Sequence, residues 1–290
     1  MDESGNAIAG LDRVTLCAIT SRDASLTEVA LLRSAQALPF GRVVMFSPVS
    51  PASESIEHVE IQAFSSVEDY SRFILFGLGE HIRSEFALII HFDGFVIHPK
   101  AWDQKFLQYD YIGARWPWHP DKQVGNGGFC LRSLRLLKAT ANPRFNRPGI
   151  PEDELICRTE RDYLESEFGV RFAPPEEADR FSMEHAGRPL TSFGFHGLFH
   201  LHQAYQDKEL DDVMLLMNPS VYAGASAVQW FLALLNQGGH RILGKLARAI
   251  LEAQPSSILS RNCAIFGISP LEVALALGRS AAYQEVIPEP

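Results

Sequence analysis

The run Phe86-Ala87-Leu88-Ile89-Ile90-His91-Phe92 is the strongest strand signal in the chain, and it ends directly in Asp93-Gly94. A continuous apolar run closed by a turn fits a strand covered on both faces, as in a parallel sheet. Val14-Thr15-Leu16-Cys17-Ala18-Ile19-Thr20 and Arg42-Val43-Val44-Met45-Phe46 read the same way. Val59 to Phe64 alternates, as an edge strand does. Between these runs, Leu26–Leu38 and a segment capped by Ser66 and reaching about Ile82 have helical spacing. Strand–helix alternation predicts right-handed crossovers and an α/β fold with a mainly parallel sheet flanked by helices. Ligands of such sheets sit beyond the carboxyl ends of the strands, where Asp93 lies.

Farther on, Tyr111-Ile112-Gly113-Ala114 reads as a short strand, and Trp116-Pro117-Trp118-His119-Pro120 as loop. Helices are expected from Ser133 to about Ala141 and from Pro151 to about Phe168, the latter with Leu155, Ile156, Leu164 and Phe168 as its apolar stripe. Beyond about Tyr205 only helical signals remain, over 228–235, 242–251 and 271–277. We therefore expect an α/β domain over 1–204 and an all-α extension over 205–290. Ser269 to Gly278 is similar to the opening helix of an ankyrin-type repeat. One copy cannot stack on itself, so the extension is expected mainly to pack, and it can offer a surface to a protein partner.

The 290 residues carry a formal net charge of −9, which speaks against broad attraction to nucleic acid or an anionic membrane. Cys17, Cys130, Cys157 and Cys263 contain no CxxC pair, which fits a reducing compartment rather than a disulfide framework or zinc knuckle. Met1 to Asn6 is acidic and polar, unlike a secretory signal, and no apolar run approaches the roughly 20 residues that span a bilayer. The expected location is cytoplasmic.

Several groups can carry chemistry. Asp93 can approach a divalent cation that bridges two phosphates, or can simply cap an Asp-Gly turn. In Gly125-Asn126-Gly127-Gly128 the glycines permit either close backbone approach to a ligand or a tight bulged turn, and Asn126 can donate to a sugar hydroxyl. The segment is neither a P-loop nor GxGxxG. Glu152, Asp153 and Glu154 follow Pro151, ordinary chemistry for a helix start, and one of them can also serve as a general base. Among His196, His200 and His202, His196 is the candidate metal or phosphate contact, because Gly197 and the missing Glu rule out an HExxH helix. Trp102, Trp116 and Trp118 can stack on a sugar or base or cover the sheet edge, and Arg115 beside them can meet phosphate.

The order of these pieces is more specific than any one of them. Phe92-Asp93-Gly94-Phe95-Val96-Ile97-His98-Pro99 precedes Trp102, Tyr109 to Ala114, Gly125 to Ser133, and Pro151-Glu152-Asp153. Phe172-Ala173-Pro174, Phe181-Ser182-Met183-Glu184 and Phe193-Gly194-Phe195-His196 follow. This set, over roughly residues 12–200, resembles the DUF5672 family of glycosyltransferase-like proteins, which looks like the GT-A class. The resemblance implies a GT-A-like, Rossmann-like mixed sheet, a nucleotide-diphosphate sugar donor, a glycan or other hydroxyl acceptor, and a divalent metal, manganese or magnesium. It places Asp93 at the acid of the DxD motif, although His91-Phe92-Asp93 has one acid only. It puts Asp153, within the Glu152-Asp153 pair, at the base of inverting enzymes, and His196 at a late histidine of the metal site. Asn126, Gly127, Gly128, Arg115 and Trp116 are then the candidate donor contacts. Two other readings stay open: a GT-A-shaped binding protein that no longer transfers, and a metal-dependent hydrolase built on the histidines.

Overall fold

The computed structural model describes residues 10–187, 191–238 and 240–283. The acidic segment Met1–Asn6 lies outside them. The chain divides into two compact units, Met1–His196 and Gly197–Pro290.

The first unit is built on a six-stranded sheet: β1 (Val14–Ile19), β2 (Arg42–Ser47), β3 (Glu57–Glu60), β4 (Phe86–Ile90), β5 (Tyr111–Ile112) and β6 (Phe129–Ser133), in the order β3-β2-β1-β4-β6-β5. β1, β2, β3 and β4 run parallel, and β6 is antiparallel to both β4 and β5. The expected mixed, mainly parallel sheet flanked by helices is thus present. β1 and β4 are buried at every residue, which is why both runs are apolar but for Thr15. Successive strands lie on one side of β1 up to β3, and β4 returns on the other. The crevice beyond β1 and β4 is therefore the topological switch point.

Two helices lead into this crevice or brace it: α1 (Ala24–Ala37) and α2 (Val67–Phe76). Ser66 caps α2 by accepting from the Asp69 amide, as its sequence predicts. The helix stops at Gly77 rather than at Ile82, and a separate turn, α3 (Leu78–His81), follows. After β6 comes α4 (Leu134–Thr140), capped by Ser133.

The helix expected over Pro151–Phe168 is three pieces: α5 (Glu152–Glu154), a π-helical turn over Leu155–Thr159, and α6 (Arg161–Phe168). The Glu160 amide donates to the Leu155 carbonyl at 2.8 Å, one residue wider than an α-helical bond. The buried Glu160 carboxylate is drawn aside by Arg144 and Arg147, which both donate to it.

α7 (Pro175–Phe181) precedes a two-stranded parallel pairing of β7 (Ser182–Met183) with β8 (Gly194–Phe195). Beneath lies an aromatic layer. Phe95 meets Phe195 with centroids 4.8 Å apart, Phe129 meets Phe181 at 5.0 Å, and Trp102 meets Phe193 at 5.2 Å. Edge and tilted ring contacts of this kind hold aromatic cores together. All four cysteines are buried free thiols.

The second unit is helical: α8 (Leu201–Ala204), α9 (Asp207–Leu216), α10 (Ala225–Asn236), α11 (Leu243–Ala253), α12 (Ser256–Ile265) and α13 (Pro270–Tyr283). Its core includes Trp230, Phe231, Leu246, Ile250 and Leu277. Among the described residues, no single helix is long and apolar enough to cross a membrane.

Candidate functional site

Asp93 lies in a tight turn at the carboxyl end of β4. His91 and Gly94 exchange backbone hydrogen bonds of 2.9 and 3.1 Å, which leaves Phe92 and Asp93 at the apex. The antiparallel register pairs Ile90 with Phe129, so β6 begins where β4 ends. That pairing sets Gly125–Gly128 against the Asp93 turn. The β7–β8 pairing aligns Met183 with Phe195 and so places the next residues, Glu184 and His196, side by side.

His91, Asp93 and His196 converge. One potential ligand atom from each lies within 4.8 Å of the others. His196 Nε2 faces Asp93 Oδ1 at 3.9 Å, while His196 Nδ1 meets Glu184 Oε1 at 2.8 Å. Burial opposes a charge on His196, but the Glu184 hydrogen bond and the Asp93 carboxylate outweigh it and raise the imidazole to about 9. His91 moves the other way. Burial, reinforced by His196, lowers it to about 4. The Tyr70 hydroxyl is 2.9 Å from His91 Nε2.

Asn126 is the hub of the glycine turn. It adopts a left-handed conformation with φ 66°. Its Oδ1 accepts from the amides of Gly128 and Phe129 at 3.0 and 3.4 Å, which fixes the amide orientation and turns Nδ2 toward His196 and Glu184. Its carbonyl accepts from the Tyr111 hydroxyl at 2.9 Å. Asn126 therefore holds the site's scaffold together.

The glycines are explained by what replaces their side chains. A Cβ on Gly128 would enter the His196 ring, one on Gly125 the Trp116 ring, and one on Gly127 the Glu152 carboxylate. The amide of Gly127 is also engaged, donating to Asp153 Oδ2 at 3.0 Å. Asp153 Oδ1 accepts from the Glu154 amide at 2.8 Å. Asp153 thus sits at a helix start where backbone dipoles favour an anion.

Glu152, read from the sequence beside Asp153, also abuts Gly127 but is paired with Arg132. It is 3 % exposed and accepts from the fully buried Arg132 at 2.9 Å. Burial raises its carboxyl to about 7; Arg132 opposes the rise and Asp153 adds to it. Arg115 donates to Asp179 at 2.9 Å, and Trp116 is buried against Gly125. These two face protein partners, whereas Asp93, Asn126, Gly127, Gly128, Asp153 and His196 form one cluster. His200 and His202 belong to the helical unit.

The sequence reading did not single out His91, Tyr70 or Glu184. His91 occupies the position two residues before Asp93, where a DxD motif has its first acid, and that offset was its signal. A cavity of about 450 Å³ adjoins His91 and Tyr70 and is lined by Thr20–Asp23 after β1 and by Phe64–Ser66 before α2 with Val67, its first residue. It occupies the crevice at the switch point between β1 and β4.

The sheet and this cluster define an α/β protein with a carboxylate–imidazole site at its strand ends. Residues 54–196 match the model of the family described as "Protein of unknown function (DUF5672)", the family that the motif order resembles. No curated protein matches the sequence. Among solved structures, the chain is similar to the apo-form glycosyltransferase GlyE of Streptococcus pneumoniae TIGR4, with 8 % identity over 63 % of this chain and 53 % of that one and a TM-score of 0.39. It thus spans about half the length of that structure. A glycosyltransferase involved in glycosylation of the major capsid of PBCV-1 aligns at 13 % identity over 70 % of this chain and 99 % of that one, TM-score 0.43. S. aureus TarS 1-349 in complex with UDP-GlcNAc aligns at 11 % identity over 94 % and 91 %, TM-score 0.35.

Proposed function

We propose that the chain is a glycosyltransferase that moves a sugar from a nucleotide-diphosphate donor to a hydroxyl acceptor, with inversion. One observation carries this reading. The Gly127 amide fixes Asp153, while Gly128, the next residue, backs the His196 ring. A candidate base and a candidate metal cluster therefore stand on adjacent residues of a single turn, beside the cavity at the strand ends.

Asp153 accepts the acceptor's proton. Two of its lone pairs are engaged by the Gly127 and Glu154 amides, and a carboxylate has others to offer. Glu152 is withdrawn into the Arg132 pair and supports its neighbour rather than meeting substrate. The crevice beside Thr20 and Tyr70 receives the nucleotide.

Asp93, His91 and His196 have a donor set that fits a divalent ion. Glu184 holds His196 Nδ1–H and leaves Nε2 toward Asp93, the carboxylate–histidine arrangement typical of metal ligands. In His91 the tautomer with Nε2–H donating to Tyr70 leaves Nδ1 as the ligand atom. Two imidazoles with one carboxylate favour manganese or another transition ion over magnesium, which prefers oxygen ligands. Such an ion would supply charge stabilisation for the departing diphosphate.

A second reading keeps donor binding without transfer, and His91 in place of the first DxD acid favours it. The experiment is a thermal-shift screen of nucleotide sugars with and without manganese, followed by assay of the hit for transfer to saccharides and for hydrolysis. Stabilisation by one donor together with turnover is expected. Stabilisation without turnover supports the second reading, and the absence of both overturns the assignment.

A further inference from the structure

We propose that Trp118, flanked by His119 and His185, is the platform on which the pyranose ring of a carbohydrate acceptor stacks; this rests on the transferase reading above. The four tryptophans have separate fates. Trp230 and Trp116 are buried, and Trp102 packs edge-on against Phe106 and Phe193. Trp118 is 57 % exposed. A single exposed aromatic is unremarkable by itself, but this one sits in a framework built to hold it.

The excursion that carries Trp118 is closed at its base and tied along its length. Arg115 pairs with Val124 in an antiparallel bridge, and the Trp116 amide donates to the Gln123 carbonyl at 2.7 Å. The Gln123 side chain donates to the His119 carbonyl at 2.6 Å. Arg158 donates to the Asp121 carbonyl at 2.8 Å, and Lys122 pairs with Asp162 at 2.7 Å. Arg158 and Asp162 follow Asp153 along the same helical run, so the excursion is braced against the segment that begins with the candidate base.

The indole also has neighbours that link it to the site. Its ring lies 5.2 Å from His185 and 5.9 Å from His119, and His119 in turn lies 5.9 Å from Trp116, which packs on Gly125. His185 directly follows Glu184, the residue that holds His196. One side of the platform thus joins the glycine turn and the other joins the metal cluster.

The chemistry suits a sugar. A pyranose presents C–H groups on one face and hydroxyls around its edge. An indole offers a flat apolar surface at low conformational cost, and imidazole nitrogens at its rim can donate to or accept from hydroxyls. A rigid, half-wet aromatic of this kind binds one face of a ring while leaving the hydroxyls open for reaction.

The test uses the full chain with manganese and a nucleoside diphosphate. Methyl glucoside, methyl N-acetylglucosaminide and cellobiose are the probes. At least one is expected to protect tryptophan fluorescence from acrylamide, which reaches Trp118 in preference to the covered indoles. Saturation-transfer NMR should show about tenfold weaker binding of that saccharide to Trp118→Ala, and binding within about threefold of the parent for Trp118→Phe. Equal binding by Trp118→Ala, or no protection by any of the three, overturns the proposal. So does protection by the nucleoside diphosphate alone, which would assign the indole to the donor. Thermal stabilisation by a nucleotide sugar, and its turnover, are read in parallel samples that hold no nucleoside diphosphate. Stabilisation without saccharide binding removes only the platform, and the absence of both stabilisation and turnover removes the transferase reading as well.

Discussion

The Gly127 amide donates to the Asp153 carboxylate at 3.0 Å and so joins the turn before β6 to the first turn of the helical run that follows. These segments have no regular pairing with each other. The bond fixes a carboxylate whose neighbour in sequence, Glu152, points into the core.

Asp153→Asn keeps an oxygen for the Gly127 amide but cannot accept a proton. Transfer is expected to fall by about 10²- to 10⁴-fold, the usual contribution of a positioned base. Donor binding in the thermal-shift assay should persist. Unaltered turnover would remove Asp153 from the chemistry.

Glu184→Ala takes away the carboxylate that orients His196. Manganese affinity measured by calorimetry is expected to drop about 10- to 100-fold. The His196 titration midpoint followed by NMR without metal should move down from about 9, because the Glu184 hydrogen bond is the largest influence raising it. A variant with unchanged metal affinity would show that Glu184 serves packing alone.

Gly128→Ala puts a methyl group into the His196 ring. Overpacking of this kind costs about 1–3 kcal/mol, and displacement of the ring should also weaken manganese binding. Gly278 in α13 has open space around it and serves as the control. Gly278→Ala is expected to stabilise by about 0.5–1 kcal/mol in urea unfolding.

The Arg132–Glu152 pair is buried at both ends. Arg132→Met alone strands a buried acid and is expected to cost about 3–5 kcal/mol, whereas Arg132→Met with Glu152→Met should recover much of the loss. Urea unfolding of the two variants and the parent measures this, and equal losses would contradict it.

Glu152 also predicts a pH dependence. Its carboxyl rises on folding from 4.5 to about 7, so the folded protein binds a proton that the unfolded chain has released between these values. This stabilisation is complete below about 4.5 and is lost as pH rises through 7. The Tm of the parent should therefore fall relative to Glu152→Gln across that window. A constant difference would place the titration elsewhere.

The sequence carried the sheet's centre plainly, because β1 and β4 are covered on both faces and Thr15 is the one polar residue in their runs. Asp93 was legible for the same reason, since the strongest strand ends on it. Strand direction was not legible. Nothing local in Phe129–Ser133 says that β6 runs against β4, although that reversal is what brings the glycine turn to Asp93. Glu184 was hidden because its meeting with His196 depends on two strands of two residues each, too short for any periodicity. His91 was overlooked because a motif defined by acids draws attention to the acid that is present. Trp116 and Trp118 share one short segment with similar surroundings in sequence, and only the Gly125 contact separates the buried ring from the exposed one. In the helix over Pro151–Phe168, Leu155, Ile156 and Leu164 are buried as their spacing implies but Phe168 is exposed, and the interruption at Leu155–Thr159, beside which Arg144 and Arg147 reach Glu160 from outside the segment, has no mark in the local periodicity.

That interruption sets a rotational phase. Each residue of an α-helix advances the chain by about 100°, and the π turn at Leu155–Thr159 inserts one extra step between Asp153 and the residues that anchor the Trp118 excursion. Because the turn closes from Glu160 back to Leu155, it takes up one residue more than an α-helical turn, so removing a single residue there tightens it to α-helical pitch and leaves Asp162 facing Lys122. The segment is a slack link, able to give up one residue of length without turning the anchor of the Trp118 excursion away from the segment that begins with Asp153.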